Sequence, residues 1–325
     1  MSDGVGRILD NLRRLPVKRG LTVGLAALGT GLGACSGPSV DPPVSAGFVA
    51  HELWDDGLAE FNVYRGHEIR YGAPQQAEVI HILVSEHFAP REYVKADDAG
   101  VRGSYPVLKL NQVLGIQTGV YRYQQMTSHF WRREDGRLLR FNLTSGDSCG
   151  NTWKDARRNR HRRQRMDYQA TTYWESMSEV RQVLEVPDDG VFYDELPVWV
   201  RALATDLTPG AGLAFQLAPG VVDSQSRPID FGPATARIEE APAEEGRAAP
   251  RWRVSVDHAG GRDEFLLEAV WPFRLERWDK ADGGWLERVH SQRLAYWEFN
   301  QPGDLERLLA GELQRGEREG GGSER

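Results

Sequence analysis

Gly146-Asp147-Ser148-Cys149-Gly150 is the stretch of this chain that most nearly has the outline of a nucleophile segment. A serine nucleophile needs a general base within reach, an aspartate to orient that base, and a turn after it whose N–H groups hold an oxyanion. Cys149 stands where that turn requires glycine, and no upstream segment announces the base. A tight turn after the alternating Leu139–Leu143 strand accounts for the segment better. Cys149 has two readings: a reactive thiol, or a small buried hydrophobe among turn residues, the commoner state of a free cysteine. Arg157, Arg158, Arg160, Arg162, Arg163 and Arg165 fall within nine residues. Guanidinium forks suit phosphate and carboxylate, so the run is a candidate patch for an anionic partner. It is equally a solvated hairpin loop in a chain with 35 Arg and 5 Lys. The eight histidines (51, 67, 81, 87, 129, 161, 258, 290) make no HxxxH, HExxH or HxH pair, so the sequence proposes no metal ligands and no cofactor. Asp55-Asp56, Asp97-Asp98 and Asp188-Asp189 abut turn residues, where turn chemistry explains them.

Cys35 has a different context. Arg7, Arg13, Arg14, Lys18 and Arg19 precede the apolar run Leu21–Gly33, and Leu32-Gly33-Ala34-Cys35 closes it. This is the layout of an export signal with small residues at a cleavage site. The run is 13 residues long, short of the roughly 20 that span a bilayer as a helix. Small residues directly before a cysteine resemble the bacterial lipobox. That resemblance implies a diacylglycerol on the Cys35 sulfur, removal of residues 1–34 and acylation, palmitate among the chains, of the new amino terminus. Ser36–Gly47, rich in Pro, Gly and Ser, reads as a tether. Ser36 in place of an acidic residue implies, by the same resemblance, an outer-membrane lipoprotein facing the periplasm. Arg13-Arg14-Leu15-Pro16-Val17-Lys18 also resembles a weakened twin-arginine motif, leaving the export route open.

Removing the leader takes five basic and two acidic side chains and leaves a net charge near −10. Such a surface is soluble, and export separates it from nucleic acid. With Cys35 acylated, Cys149 is the one thiol left, so no intramolecular disulfide supports the fold.

The elements that must position these residues are mostly strands. Trp252, Val254 and Val256 alternate with polar neighbours, as do Leu139, Phe141 and Leu143 after the Asp135-Gly136 turn. Tyr121–Arg133 is strand-like, Asp282-Gly283-Gly284 joins a Phe273–Asp279 strand to a Trp285–Glu298 strand, and Ala77–Phe88 is apolar on both faces, as a central strand is. Helical spacing is confined to Val191–Leu207, with Pro197 suited to a first turn, and to Leu305, Leu308, Leu309 and Leu313 behind Asp304. The pattern predicts a mainly β fold: a large curled antiparallel sheet, open or a half barrel, with one mid-chain helix plugging it and a C-terminal helix. The expected organisation is a signal peptide (1–34), a tether (35–47), a β-rich envelope domain (48–300) and a helix with a charged tail (301–325). A break at Pro187–Gly190 divides the β region into groups 48–186 and 191–300, either halves of one sheet or packed subdomains.

Val94-Lys95-Ala96-Asp97, Pro106–Asn111, Thr118-Gly119-Val120-Tyr121 and Ser145–Gly150 together resemble an uncharacterised group of bacterial envelope proteins, over about Trp54–Trp174. Some members carry the label septum formation inhibitor Maf. That label is misplaced, because true Maf proteins are cytoplasmic nucleotide pyrophosphatases of another fold. The later part, from Tyr193-Asp194-Glu195-Leu196-Pro197, is loosely similar to the curled-sheet periplasmic lipoprotein carriers. Neither resemblance assigns a ligand.

The expected function is that of a lipid-anchored envelope protein, a non-enzymatic binder of an amphiphilic ligand or of an envelope-protein partner, held to the membrane by its acyl chains. The alternatives are a hydrolase or transferase whose site assembles from scattered residues, Cys149 and Asp147 among them, and a purely structural lipoprotein. An aromatic-lined groove without converging titratable groups distinguishes the binder, and a nucleophile beside a base distinguishes the enzyme.

Overall fold

The computed structural model describes residues 46–313 except 99, 149, 176–177, 221–227 and 244–248. Its strands form one 15-stranded sheet. β1 (Ala59–Arg70), β2 (Ala73–Phe88), β3 (Tyr105–Thr118), β4 (Tyr121–Arg132), β5 (Leu138–Asp147), β6 (Gly150–Arg158), β7 (Arg165–Thr171) and β8 (Glu179–Glu185) follow as antiparallel hairpins. On the other side of β1 stand β15 (Trp285–Leu294), β14 (Leu275–Asp279), β13 (Gly261–Glu268), β12 (Arg251–His258), β11 (Gly232–Glu240) and β10 (Gly212–Ala218). The last strand, β9 (Gly190–Phe192), pairs parallel to β10. First and last long strands therefore meet in the middle, and the two edges, β8 and β9, are consecutive in the chain. Pro187–Asp189 is where the chain leaves one edge of the sheet and starts the other. Only Val186–Asp189 separate the edges, a reach of at most about 18 Å from Glu185 to Gly190 for an extended chain, so the sheet must curl.

What it curls around is the mid-chain helix α2 (Leu196–Asp206). Every residue from Leu196 to Ala204 is buried, and a helix covered on all sides has to be enclosed. Partners come from both groups of strands. Trp199 packs against Phe215 of β10 at 4.4 Å, and Phe192, just before the helix, against Phe141 of β5 at 4.7 Å. Arg201 donates to both Glu60 carboxylate oxygens of β1 at 2.9 Å and to the Pro272 carbonyl at 3.1 Å. The predicted mainly β architecture, a large open sheet with a helix in its concavity, is what forms. The helix begins later than the spacing suggests, because Gly190–Phe192 extend as β9 and Tyr193–Glu195 make a 3-10 turn.

Alternation sets the two faces of the sheet. On β1, Glu60, Asn62 and Tyr64 point toward the concavity, whereas Ala59, Phe61 and Val63 pack outward with Leu308 and Leu313 at the terminal helix α3 (Asp304–Leu309). Leu305 of the expected stripe is exposed. Helix α1 (Ala46–Ala50) begins inside the expected tether, because Phe48 and Val49 are fully buried. Arg133 fixes it, donating to the carbonyls of Val49, Ala50 and His51 and pairing with Asp55. Turns alternate between the ends of the sheet. One end carries α1 and the β4–β5 and β6–β7 turns. The other carries the β3–β4, β12–β13 and β14–β15 turns and the last residues of β10.

Candidate functional site

A pocket of about 440 Å³ lies where the end of β10, the start of β11 and the β12–β13 and β14–β15 turns meet. Leu217, Ala218, Pro219, Pro233, Ala259 and Ala281 give it an apolar lining, and Tyr193, Asp230, His258 and Asp282 supply polar groups. Tyr193 arrives from the turn between β9 and α2, so the plug and the sheet share this wall.

Behind the wall Asp263 of β13 is fully buried, and it is the hub of the site. Its Oδ1 accepts from the Tyr193 hydroxyl at 2.8 Å and from the Trp278 indole N–H at 2.9 Å. Its Oδ2 lies 2.6 Å from His258 Nε2. His258 Nδ1 accepts the Gly260 N–H at 3.1 Å, which places the ring proton on Nε2, donating to Asp263. Each oxygen of a buried carboxylate thus has a donor, as its desolvation requires. The rings pack accordingly, Tyr193 tilted against Trp278 at 5.6 Å and edge-on to His258 at 5.9 Å.

These hydrogen bonds hold the groups in place. Burial, and then the Asp263 charge and hydrogen bond, hold the Tyr193 hydroxyl far above the ordinary phenol range, so it remains a neutral donor. Both nitrogens of His258 are occupied, and Asp282 Oδ1 accepts the Gly284 N–H within its own turn at 2.9 Å. Among the described lining residues no serine, cysteine or lysine faces a free base. Among all described residues no three His, Cys, Asp or Glu side chains gather as metal ligands. An apolar cavity edged by hydrogen-bonding groups is the geometry of a ligand site.

No family model matches the chain, and no curated protein is similar to it. Among solved structures, the chain is similar to the beta-barrel-like protein of domain of unknown function DUF1849 from Brucella abortus. The likeness has 10% identity and a TM-score of 0.44, over 72% of this chain and 97% of that one.

The residues singled out in the sequence are dispersed. Cys35 and Cys149 lie outside the described residues. Asp147 and Gly150 pair across the β5–β6 hairpin, so Ser148 is in a turn. The arginine run spans the β6–β7 turn, and its members have different partners. Arg157 pairs with Asp155 at 2.6 Å, Arg165 with Glu185 at 2.5 Å, and Arg160 lies 5.3 Å from the Tyr93 ring centre. Arg158 is buried, donating to the carbonyls of Leu138 and Arg163 at 2.6 Å each, and burial pulls its pKa down to about 10. Arg162 and Arg163 form no ion pair among the described residues. His81 is a satisfied strand histidine, bonded to Gln112 at 2.8 Å.

Sequence reasoning did not find Asp263, and it counted His258 only among scattered histidines. The available signal was phase. Asp263 occupies the buried register of β13 that Phe265 and Leu267 continue, and a carboxylate at a core-phase position needs partners. Glu60 and Asn62 break the phase of Tyr64 in the same way, and Gln125, Thr127 and His129 that of Trp131.

Proposed function

We propose that this protein is a lipid-anchored bacterial envelope protein that binds an amphiphilic ligand in the pocket at Tyr193 and His258, without converting it chemically. The carrying observation is the pocket's apolar lining beside Tyr193 and His258, both engaged on Asp263, and Asp282, bonded in its turn, with Asp230 exposed at the rim. Its volume, about 440 Å³, suits part of an acyl chain or a comparable apolar group, with the Tyr193 edge facing the polar end. The helix filling most of the sheet's concavity is consistent with a ligand held at one end rather than swallowed whole. Anchoring rests on the lipobox context of Cys35, and placement in the outer membrane facing the periplasm on Ser36.

Palmitate labelling and membrane fractionation of wild type and Cys35→Ser test the anchor, which requires labelled, membrane-retained wild type and unlabelled, released variant. Native mass spectrometry of the Cys35→Ser chain tests the pocket. We expect a co-purifying amphiphile that Ala259→Trp, at the exposed lip, expels. An empty chain that also takes up no added fatty acid would support a purely structural lipoprotein instead.

A further inference from the structure

A second cavity of about 470 Å³ lies between the β4–β5 and β6–β7 turns, bordered by Arg137, Arg162, Arg163, Arg165, Glu185 and Asp188. Its acids already have partners: Glu185 pairs with Arg165 at 2.5 Å, and Asp188 accepts from Gln164 at 3.1 Å. The cations are in surplus. Arg162 and Arg163 have no ion pair among the described residues, and Arg137 reaches Asp135 at 3.8 Å, its buried Nε without a hydrogen bond. The turn is also held in place from beneath. Buried Arg158 bonds the Arg163 carbonyl and the carbonyl of Leu138, next to Arg137, which fixes the two arginine-bearing turns against each other.

From this geometry we infer that Arg137, Arg162 and Arg163 receive the phosphate of a lipid headgroup, seating this end of the domain on an anionic membrane surface. Guanidinium groups suit phosphate oxygens, and the Arg158 bonds hold the backbones of the two turns that carry them. A membrane is favoured over a soluble phosphate by where the chain enters. Arg133, four positions before Arg137 on the same turn, holds α1 by three carbonyls, so the N-terminal segment arrives at this end. Ala46 follows Cys35 by 11 residues, at most about 40 Å of chain, so an anchored domain keeps this face near the bilayer. The inference rests on the anchored reading, but its test does not.

The full chain carrying Cys35→Ser, which has no lipid attachment, is mixed with vesicles of phosphatidylglycerol or of phosphatidylcholine and sedimented at low and high salt. Expected is salt-sensitive binding to phosphatidylglycerol alone, weakened at least tenfold by Arg162→Gln with Arg163→Gln and unchanged by Ala259→Trp. The two arginines are in a surface turn, and an unaltered circular dichroism spectrum verifies folding. Equal binding of both lipids, binding unaffected by the double substitution, or no binding overturns the inference. So does inorganic phosphate that binds as tightly as the vesicles, because a soluble anion would then be the ligand.

Discussion

His129→Leu is the substitution whose outcome the structure specifies most fully. His129 is completely buried in β4, its ring 5.8 Å from Trp131 and 6.0 Å from Phe141, and neither nitrogen has a hydrogen-bond partner. Burial drives its pKa down to about 3. At neutral pH leucine removes two unpaired polar atoms from an apolar setting, which stabilises the fold by about 1–3 kcal/mol. The effect of acid is larger. A histidine with a folded pKa near 3 and an unfolded value near 6.5 contributes its full stability above pH 6.5 and loses it as pH falls, at about 1.4 kcal/mol per unit. Between pH 6.5 and 4 that is about 3.4 kcal/mol. His81, which burial lowers to about 4, loses about 3 kcal/mol over the same range. Glu195 acts in the opposite sense. Burial raises its pKa to about 7, so its contribution is full below 4.5 and is lost as pH rises through 7; acidification regains about 3 kcal/mol. Wild type should therefore lose about 3 kcal/mol between pH 7 and 4 on these three groups, and His129→Leu close to none. Urea unfolding followed by tryptophan fluorescence at both pH values measures this. A variant less stable than wild type at pH 7, or one with undiminished acid sensitivity, would refute the argument.

Three further substitutions probe the frame. Arg201→Met removes the bidentate partner of the Glu60 carboxylate at zero exposure, leaving it Asn62 and Arg274 at 3.7 Å, and should cost about 3–5 kcal/mol by urea unfolding, with Glu60→Leu added to it restoring most of the loss. Gly66→Ala places a Cβ 2.0 Å from the Trp285 carbonyl oxygen, so β1 and β15 must part; thermal melts should show a loss of about 1–3 kcal/mol. Asp263→Asn gives Tyr193, Trp278 and His258 an amide that can accept at one atom only. Nitrogen NMR of His258 should show a shifted tautomer balance and denaturation a loss of about 1–3 kcal/mol, whereas wild-type values for both would remove Asp263 from its place as hub.

The fold class was legible because strand alternation and turn dipeptides are local signals. Trp252, Val254 and Val256, the Asp135-Gly136 turn and the helical spacing of Leu196, Trp199, Val200 and Leu203 each carry their own structure. Topology was less so. Nothing near Pro187 shows that the next strand opens the far edge of the same sheet, since pairings such as β1 with β15 join residues more than 200 positions apart. The pocket was not legible at all. Leu217, Tyr193, His258 and Asp263 are ordinary within their own segments, and the curl of the sheet alone brings them together. The arginine run was legible as charge, but not as one buried tie, three paired or stacked side chains and two unpaired cations, because strand direction assigns each its side.

Quenching of Trp278 by a brominated fatty acid tests the binding claim most directly, since that indole packs on Tyr193 at the pocket wall. Titration of the Cys35→Ser chain should give saturable quenching at one equivalent, mostly lost in Trp278→Phe and abolished by Ala259→Trp. Quenching that never saturates, or that persists unchanged in both variants, would contradict the pocket as the ligand site.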